Sequence, residues 1–201
     1  METQHITWHK CLESTNSDAK MHIDDYDNLS VSAALSQEKG RGQADHKWFA
    51  TPGKNLTFTI ILKPRGFAAT DALFLTRITT LSLLSYLNTK GIEARIKWPN
   101  DIWVGEKKIC GILIENTLDG TLVKYSLIGI GLNVNERNWP EYLPNPVSMS
   151  EITGKEYDIR AELEEFYKEF CRHEQMYWHD DGKKKLCEEF EKNVFRLSEA
   201  L

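Results

Sequence analysis

The stretch from Arg95 to Asn135 constrains this chain more than any other: RIKWPNDIWVGEKKICGILIEN, a turn, then YSLIGIGLNVN. It reads as three successive strands. Ile96 leads into a Pro99-Asn100-Asp101 turn, and Ile102-Trp103-Val104 opens the next extended run. Gly105-Glu106 is a tight turn, Lys107 to Glu115 is strand-like, Leu118-Asp119-Gly120 signals another turn, and Thr121 to Val134 returns along it. The period of two places Lys108 on one face with Cys110, Ile112 and Ile114. A lysine ending an apolar face needs a partner, because an isolated buried charge is costly. On the returning strand Gly129, Gly131 and Asn133 share a face, and the glycines leave a floor where a ligand can lie against backbone. A solvated edge lysine and a β-bulge would also account for these features.

The 201 residues suffice for one substantial domain with a single core. A net charge of -5 gives no indication of nucleic-acid binding. Cys11, Cys110, Cys171 and Cys187 are scattered without a C-x-x-C, and the six histidines lack zinc spacing, so neither a disulfide framework nor a structural metal is expected. With no apolar run of membrane-spanning length and no signal peptide in METQHITWHK, the expectation is a cytoplasmic, reduced protein with no membrane contact.

Upstream, Ile6 and Trp8 alternate with polar residues in a short strand. Glu13 to Asp18 is dense in N-cap residues and predicts a helix to about His22. Ser14-Thr15-Asn16 reads either as a simple cap or as hydroxyls and free helix N–H groups that hold a polar ligand. Val31, Ala33 and Leu35 alternate in a strand, after which the pattern stops from Glu38 to about Lys54. A loop this long is usually functional or disordered. Gly40-Arg41-Gly42 makes a poor dinucleotide fingerprint, since Asp45 stands where a third glycine belongs and no helix follows. The better reading is a loop that orders over an anionic ligand, with Arg41 supplying a fork and Trp48 an aromatic face for an adenine ring. Asn55 to Leu62 alternates as Leu56, Phe58, Ile60 and Leu62 in a half-buried strand, and Thr70-Asp71 caps a helix carrying Phe74, Ile78, Leu81 and Leu84 that ends at Gly91. Trp139 to Pro146 is a proline-rich connector. Asp158 caps a second amphipathic helix striped with Leu163, Phe166, Tyr167, Phe170 and Tyr177, and Lys183 to about Lys192 forms a last one.

Lys97-Trp98-Pro99-Asn100-Asp101, then Lys108 with Gly111, then Gly129-Ile-Gly131-Leu-Asn133, in that order, resembles the catalytic core of biotin protein ligases (biotin–[acetyl-CoA-carboxylase] ligases). Ser14-Thr15-Asn16 matches the element that lines the family's pocket for the biotin head, and Gln37 with Gly40-Arg41-Gly42 through Trp48 resembles its biotin-binding loop. The resemblance spans about Trp8 to Phe195. It implies an α+β fold, a mixed sheet flanked by helices as in class II aminoacyl-tRNA synthetases. It implies ATP-dependent activation of biotin as biotinoyl-5'-AMP, then transfer to a lysine of a biotin carboxyl carrier domain. By the same resemblance Lys108 and Arg41 are catalytic, Lys108 on the carboxylate and α-phosphate and Arg41 clamping the adenylate. Ser14, Thr15, Asn16, Gln37, Gly40, Arg41, Gly42, Lys108, Gly111, Gly129 and Gly131 bind biotin. Gln43, Trp48, Lys97, Asn100 and Asn133 address the nucleotide, and Mg²⁺ arrives with ATP rather than in a protein cage.

The loop departs from the family pattern at Gln43, Asp45 and His46, which removes or weakens two cations and adds a negative charge. No winged helix-turn-helix precedes Ile6, so no DNA-binding role is expected, and the small C-terminal barrel is expected to be missing, residues 1–195 being the catalytic domain and 196–201 the start of the next. A lipoate or octanoate ligase of the same fold and a non-catalytic biotin binder are the alternatives. The oligomeric state, a homodimer included, and the identity of the carboxylase subunit stay open.

Overall fold

Leu56, Phe58, Ile60 and Leu62 project from one side of a strand whose other side is covered as well, so every residue of Leu56–Leu62 is buried. The computed structural model describes residues 5–43 and 46–195, which places Asp45 and the segment 196–201 outside the described residues. Among the described residues seven strands form one sheet: β1 (Ile6–His9), β2 (Ser30–Ala34), β3 (Leu56–Leu62), β4 (Arg95–Lys97), β5 (Asp101–Val104), β6 (Lys107–Asp119) and β7 (Leu122–Leu132). Their spatial order is β1-β2-β3-β7-β6-β5-β4. Only β1 and β2 pair in parallel; the remaining neighbours are antiparallel. The sheet is therefore mixed and flanked by helices, the expected architecture.

Two helices, α2 (Leu73–Thr89) and α4 (Ile159–Tyr177), cover one face, and α5 (Gly182–Asn193) packs on both. Phe166 of α4 lies 5.5 Å from Phe58 and 6.0 Å from Tyr86, ring centre to ring centre, which joins sheet and helices in a single core. On the opposite face the short α1 (Thr15–Met21) sets Ala19 on Ile61 and Leu127. Coverage on both sides corrects the half-buried reading of β3, and β2 is likewise buried throughout. The mid-helix hydroxyls Thr79, Thr80 and Ser82 tolerate burial in α2 because each donates back to the carbonyl four residues earlier. Where α2 meets α4, the buried Glu162 carboxylate accepts from the Tyr86 hydroxyl and pairs with Lys90 at 2.6 Å, which satisfies a charge that would otherwise be costly.

Three local expectations change. Thr70-Asp71 does not cap α2: Ala72 occupies that position, and the Asp71 carboxylate instead accepts from Tyr177 and pairs with Lys183, tying the helix start to α4 and α5. A further helix, α3 (Met149–Thr153), follows the proline-rich connector and begins with a capping box of Ser148 and Glu151. The third change is in β6. Between β5 and β6 the pairing steps from Ile102–Cys110 to Trp103–Lys108, one residue against two, so Ile109 is the extra residue of a bulge. Beyond it Ile109 and Cys110 are both buried, and Lys108 changes face, leaving the side of Cys110, Ile112 and Ile114 for that of Gly111.

Candidate active site

Gly111, Leu113, Gly129 and Gly131 follow one another on the face turned away from α2 and α4. The cross-strand register stacks Thr57, Gly131 and Gly111 in one row and Thr59, Gly129 and Leu113 in the next. Three glycines in these rows strip the sheet of side chains and leave a cleft of about 470 Å³, a size typical of small-molecule sites. What fills the missing Cβ space is specific. A Cβ on Gly131 would lie 2.2 Å from the indole of Trp48, and one on Gly129 would lie 2.4 Å from Oδ1 of Asn16.

The polar end is built by α1 and the segment after β2. Ser14 starts the helix without a side-chain capping bond, so its hydroxyl stays available to the cleft it lines. The Thr15 backbone N–H and hydroxyl both donate to Oε1 of Gln37, at 2.8 and 3.2 Å, which turns the amide Nε2 outward as a free donor. Asn16 is fully engaged: Nδ2 donates to the Leu113 carbonyl at 3.3 Å and to the Glu115 carboxylate at 2.8 Å, and Oδ1 accepts from Thr59 at 2.5 Å. Ser14 and the Gln37 amide thus present hydrogen-bonding groups to the cleft, while Thr15 and Asn16 brace the wall behind them.

The charged end faces it. Among the described lining residues Arg41, Lys47, Lys97 and Lys108 are cations and Asp101 is the only acid, in a chain whose net charge is -5. This local excess favours an anionic ligand. Lys108 Nζ sits 2.7 Å from Asp101 Oδ1 and 5.8 Å from the centre of the Trp48 ring. The bulge at Ile109 aims it there. Lys97 stands 3.8 Å over the Trp103 ring, a cation–π contact that keeps its ammonium at the rim.

The loop closes as a small hairpin. Arg41 bridges to Lys47, the Gly42 N–H donates to the His46 carbonyl, and Trp48 N–H donates to the Gly40 carbonyl at 2.9 Å. A Cβ on Gly40 would come within 2.6 Å of the Trp48 carbonyl, so this pairing needs glycine. The Arg41 fork is not offered to the cleft: Nη2 and Nη1 donate to the two Glu115 carboxylate oxygens at 2.9 and 3.2 Å. Burial pushes the Glu115 carboxyl up, and the Asn16 bond and the Arg41 pair outweigh it, holding the group below the ordinary carboxylate range.

Most of the residues expected at the site line this cleft: Ser14, Thr15, Asn16, Gln37, Arg41, Gly42, Gln43, Trp48, Lys97, Asn100, Lys108, Gly111, Gly129 and Gly131. Gly40 and Asn133 lie outside its lining. Gly40 shapes the hairpin, and Asn133 is buried with its amide donating to the Lys108 and Val147 carbonyls, so it fixes the strand that carries Lys108. Asn100 lines the cleft but spends its amide on the Ile112 carbonyl at 2.9 Å. Trp48 lies on the glycine floor, its indole N–H buried with no partner among the described residues, rather than standing free as a stacking face. Cys110 points into the core, where burial raises its thiol far above the ordinary range and removes it as a nucleophile. Sequence reasoning missed Glu115, Thr59 and the partnership of Asp101 with Lys108. Adjacent apolar Ile109 and Cys110 were the one available sign of the bulge that creates that partnership.

A mixed sheet with a glycine floor, a polar end at a helix start and a cationic end opposite has the chemistry to suit a small molecule with an anionic group. The chain belongs to the biotin/lipoate A/B protein ligase family, whose model matches residues 8–133. It is 30% identical over 160 residues to the bifunctional ligase/repressor BirA of Bacillus subtilis (strain 168), covering 77% of this chain and 49% of that protein. It is also 30% identical over 124 residues to the biotin--[acetyl-CoA-carboxylase] ligase of Paracoccus denitrificans, covering 61% of this chain and 51% of that protein. The chain thus spans about half the length of these curated relatives. Among solved structures it is similar to the biotin protein ligase from Aquifex aeolicus in complex with biotin and ATP, with a TM-score of 0.84 and 27% identity over 96% of this chain and 79% of that one.

Proposed function

We propose that this chain activates biotin with ATP and transfers the biotinoyl group to a lysine of a biotin carboxyl carrier domain. One observation carries the reading: a polar end made by Ser14, Thr15 and Gln37 and a cation, Lys108, border one glycine-floored cleft. The relatives named as biotin ligases, and the structure named as holding biotin and ATP, support it. The ring head of biotin, a ureido with donors and acceptors, suits the polar end, and its carboxylate suits the cationic one. A carboxylate is a poor electrophile and two anions must meet, so preorganised positive charge is the main requirement.

In the first step a biotin carboxylate oxygen bonds to the α-phosphorus of ATP and pyrophosphate leaves. In this reading Lys108, paired with Asp101 at 2.7 Å before the anion enters, stabilises the charge that builds on the phosphate. In the second step the acceptor amine attacks the acyl carbon, AMP leaves, and an amide forms with loss of a proton. Mg²⁺ would arrive with the triphosphate, since it dehydrates reluctantly and prefers phosphate oxygens. Asp101 could supply it one carboxylate. Titration calorimetry with biotin and with lipoate tests the assignment of the acid: biotin should bind and lipoate should not compete, whereas preference for lipoate would move the chain to the other branch of the family.

A further inference from the structure

Glu115 stands at the far end of the glycine face of β6, beside α1 and under the loop hairpin, and has no part in the chemistry above. Its two carboxylate oxygens hold three donors from two separate elements: Asn16 Nδ2 of α1 and both Nη atoms of Arg41. Arg41 is itself pinned between Lys47 across the hairpin and Ser17 of α1, whose hydroxyl is 3.5 Å from Nη1. Asn16 in turn fills the space over Gly129 and accepts from Thr59. A single carboxylate therefore ties the lid to the polar wall and the polar wall to the floor. We infer that Glu115 is a positioning residue: acting through Arg41, it holds the Gly40–Gly42 hairpin closed over the acid substrate, so it governs how long that substrate stays bound. This rests on the biotin-activating reading above. It also reassigns Arg41, whose fork works on the lid rather than on the phosphate.

A bidentate arginine–carboxylate pair is geometrically demanding, and this one is partly sheltered from solvent, the side chains being 45% and 29% exposed. Glu115→Gln keeps the size and one oxygen for Asn16 but loses the charge and the second oxygen. The experiment measures biotin dissociation rate and urea stability for the wild type, Glu115→Gln, Arg41→Gln and the double variant. Biotin should leave roughly tenfold faster from each single variant, at little cost to association. The double variant should be no worse than either single one, since both remove the same tie. Dissociation from Glu115→Gln at the wild-type rate would overturn the inference, and so would lowered urea stability without faster dissociation, or losses that add in the double variant. A wild-type chain that binds no biotin would remove both this inference and the function it rests on; binding by the wild type with an unaffected Glu115→Gln would remove this inference alone.

Discussion

Lys108 is held 2.7 Å from Asp101 in a cleft otherwise rich in cations, so its ammonium is already oriented there. Lys108→Ala should cost about 3–4 kcal/mol in the adenylation barrier, the size of losing one oxyanion donor, and less in biotin binding. Single-turnover formation of the adenylate checks this, and near-wild-type rates would contradict the role. His173 offers a test of stability. It is fully buried in α4, Nδ1 lies 2.9 Å from the Glu169 carbonyl, and Arg172 donates to Nε2, so the ring is neutral. Desolvation lowers its pKa below the ordinary 6.5, and the nearby Arg172 charge adds to this. In the window between the folded and unfolded values the unfolded chain binds the proton and the folded chain does not. The stability is therefore fully present above about pH 6.5 and is lost as pH falls from there toward the folded value. Denaturant titrations at pH 7.5 and 5.5 should show that loss, smaller in His173→Gln. At this scale the sequence displayed Lys108, because a lysine in an apolar strand is conspicuous. It did not display Glu115, whose partners Asn16 and Arg41 are 99 and 74 residues away and come together only through the fold.

The bulge in β6 decides which face receives Lys108, and plain alternation assigns the wrong one. Strand and helix boundaries follow from local signals: Gly105 and Gly120 adopt positive φ at the expected turns, and Asp158 accepts from the N–H groups of Arg160 and Ala161 at the start of α4. Register irregularity depends on the neighbouring strand, and the full burial of β2 and β3 depends on what packs above them, so neither is written in one segment. The glycine rows were legible as a floor; their occupants, Asn16 and Trp48, were not. Alanine normally suits a strand better than glycine. At Gly129, however, its Cβ would lie 2.4 Å from Asn16, so Gly129→Ala should destabilise by about 1–3 kcal/mol. Shortening the neighbour in Gly129→Ala/Asn16→Ala should remove most of that strain, and a double-mutant cycle in urea measures it. Additive losses would mean that the contact is not the cause.

Across the whole molecule the sheet separates two tasks: one face carries α2, α4 and the core, and the other carries α1, the hairpin and the cleft. Stability and binding should therefore be separable. Phe166→Ala, which removes a fully buried ring packed on Phe58, Tyr86 and Phe170, should cost about 3–5 kcal/mol while biotin affinity of the folded fraction stays near wild type. Matched denaturation and calorimetry on the variant check this, and a parallel loss of affinity would show that the two faces are coupled. The charge distribution points the same way, a chain of net -5 gathering cations at one cleft. That such a cleft exists follows from the fold; that it activates an acid is the central claim. The most direct test is isotope exchange between pyrophosphate and ATP, which reports adenylate formation without any acceptor protein. The account predicts exchange that depends on biotin, is not supported by lipoate, and falls about 10²–10³-fold in Lys108→Ala. Biotin that binds without promoting exchange, or exchange indifferent to Lys108, would contradict it.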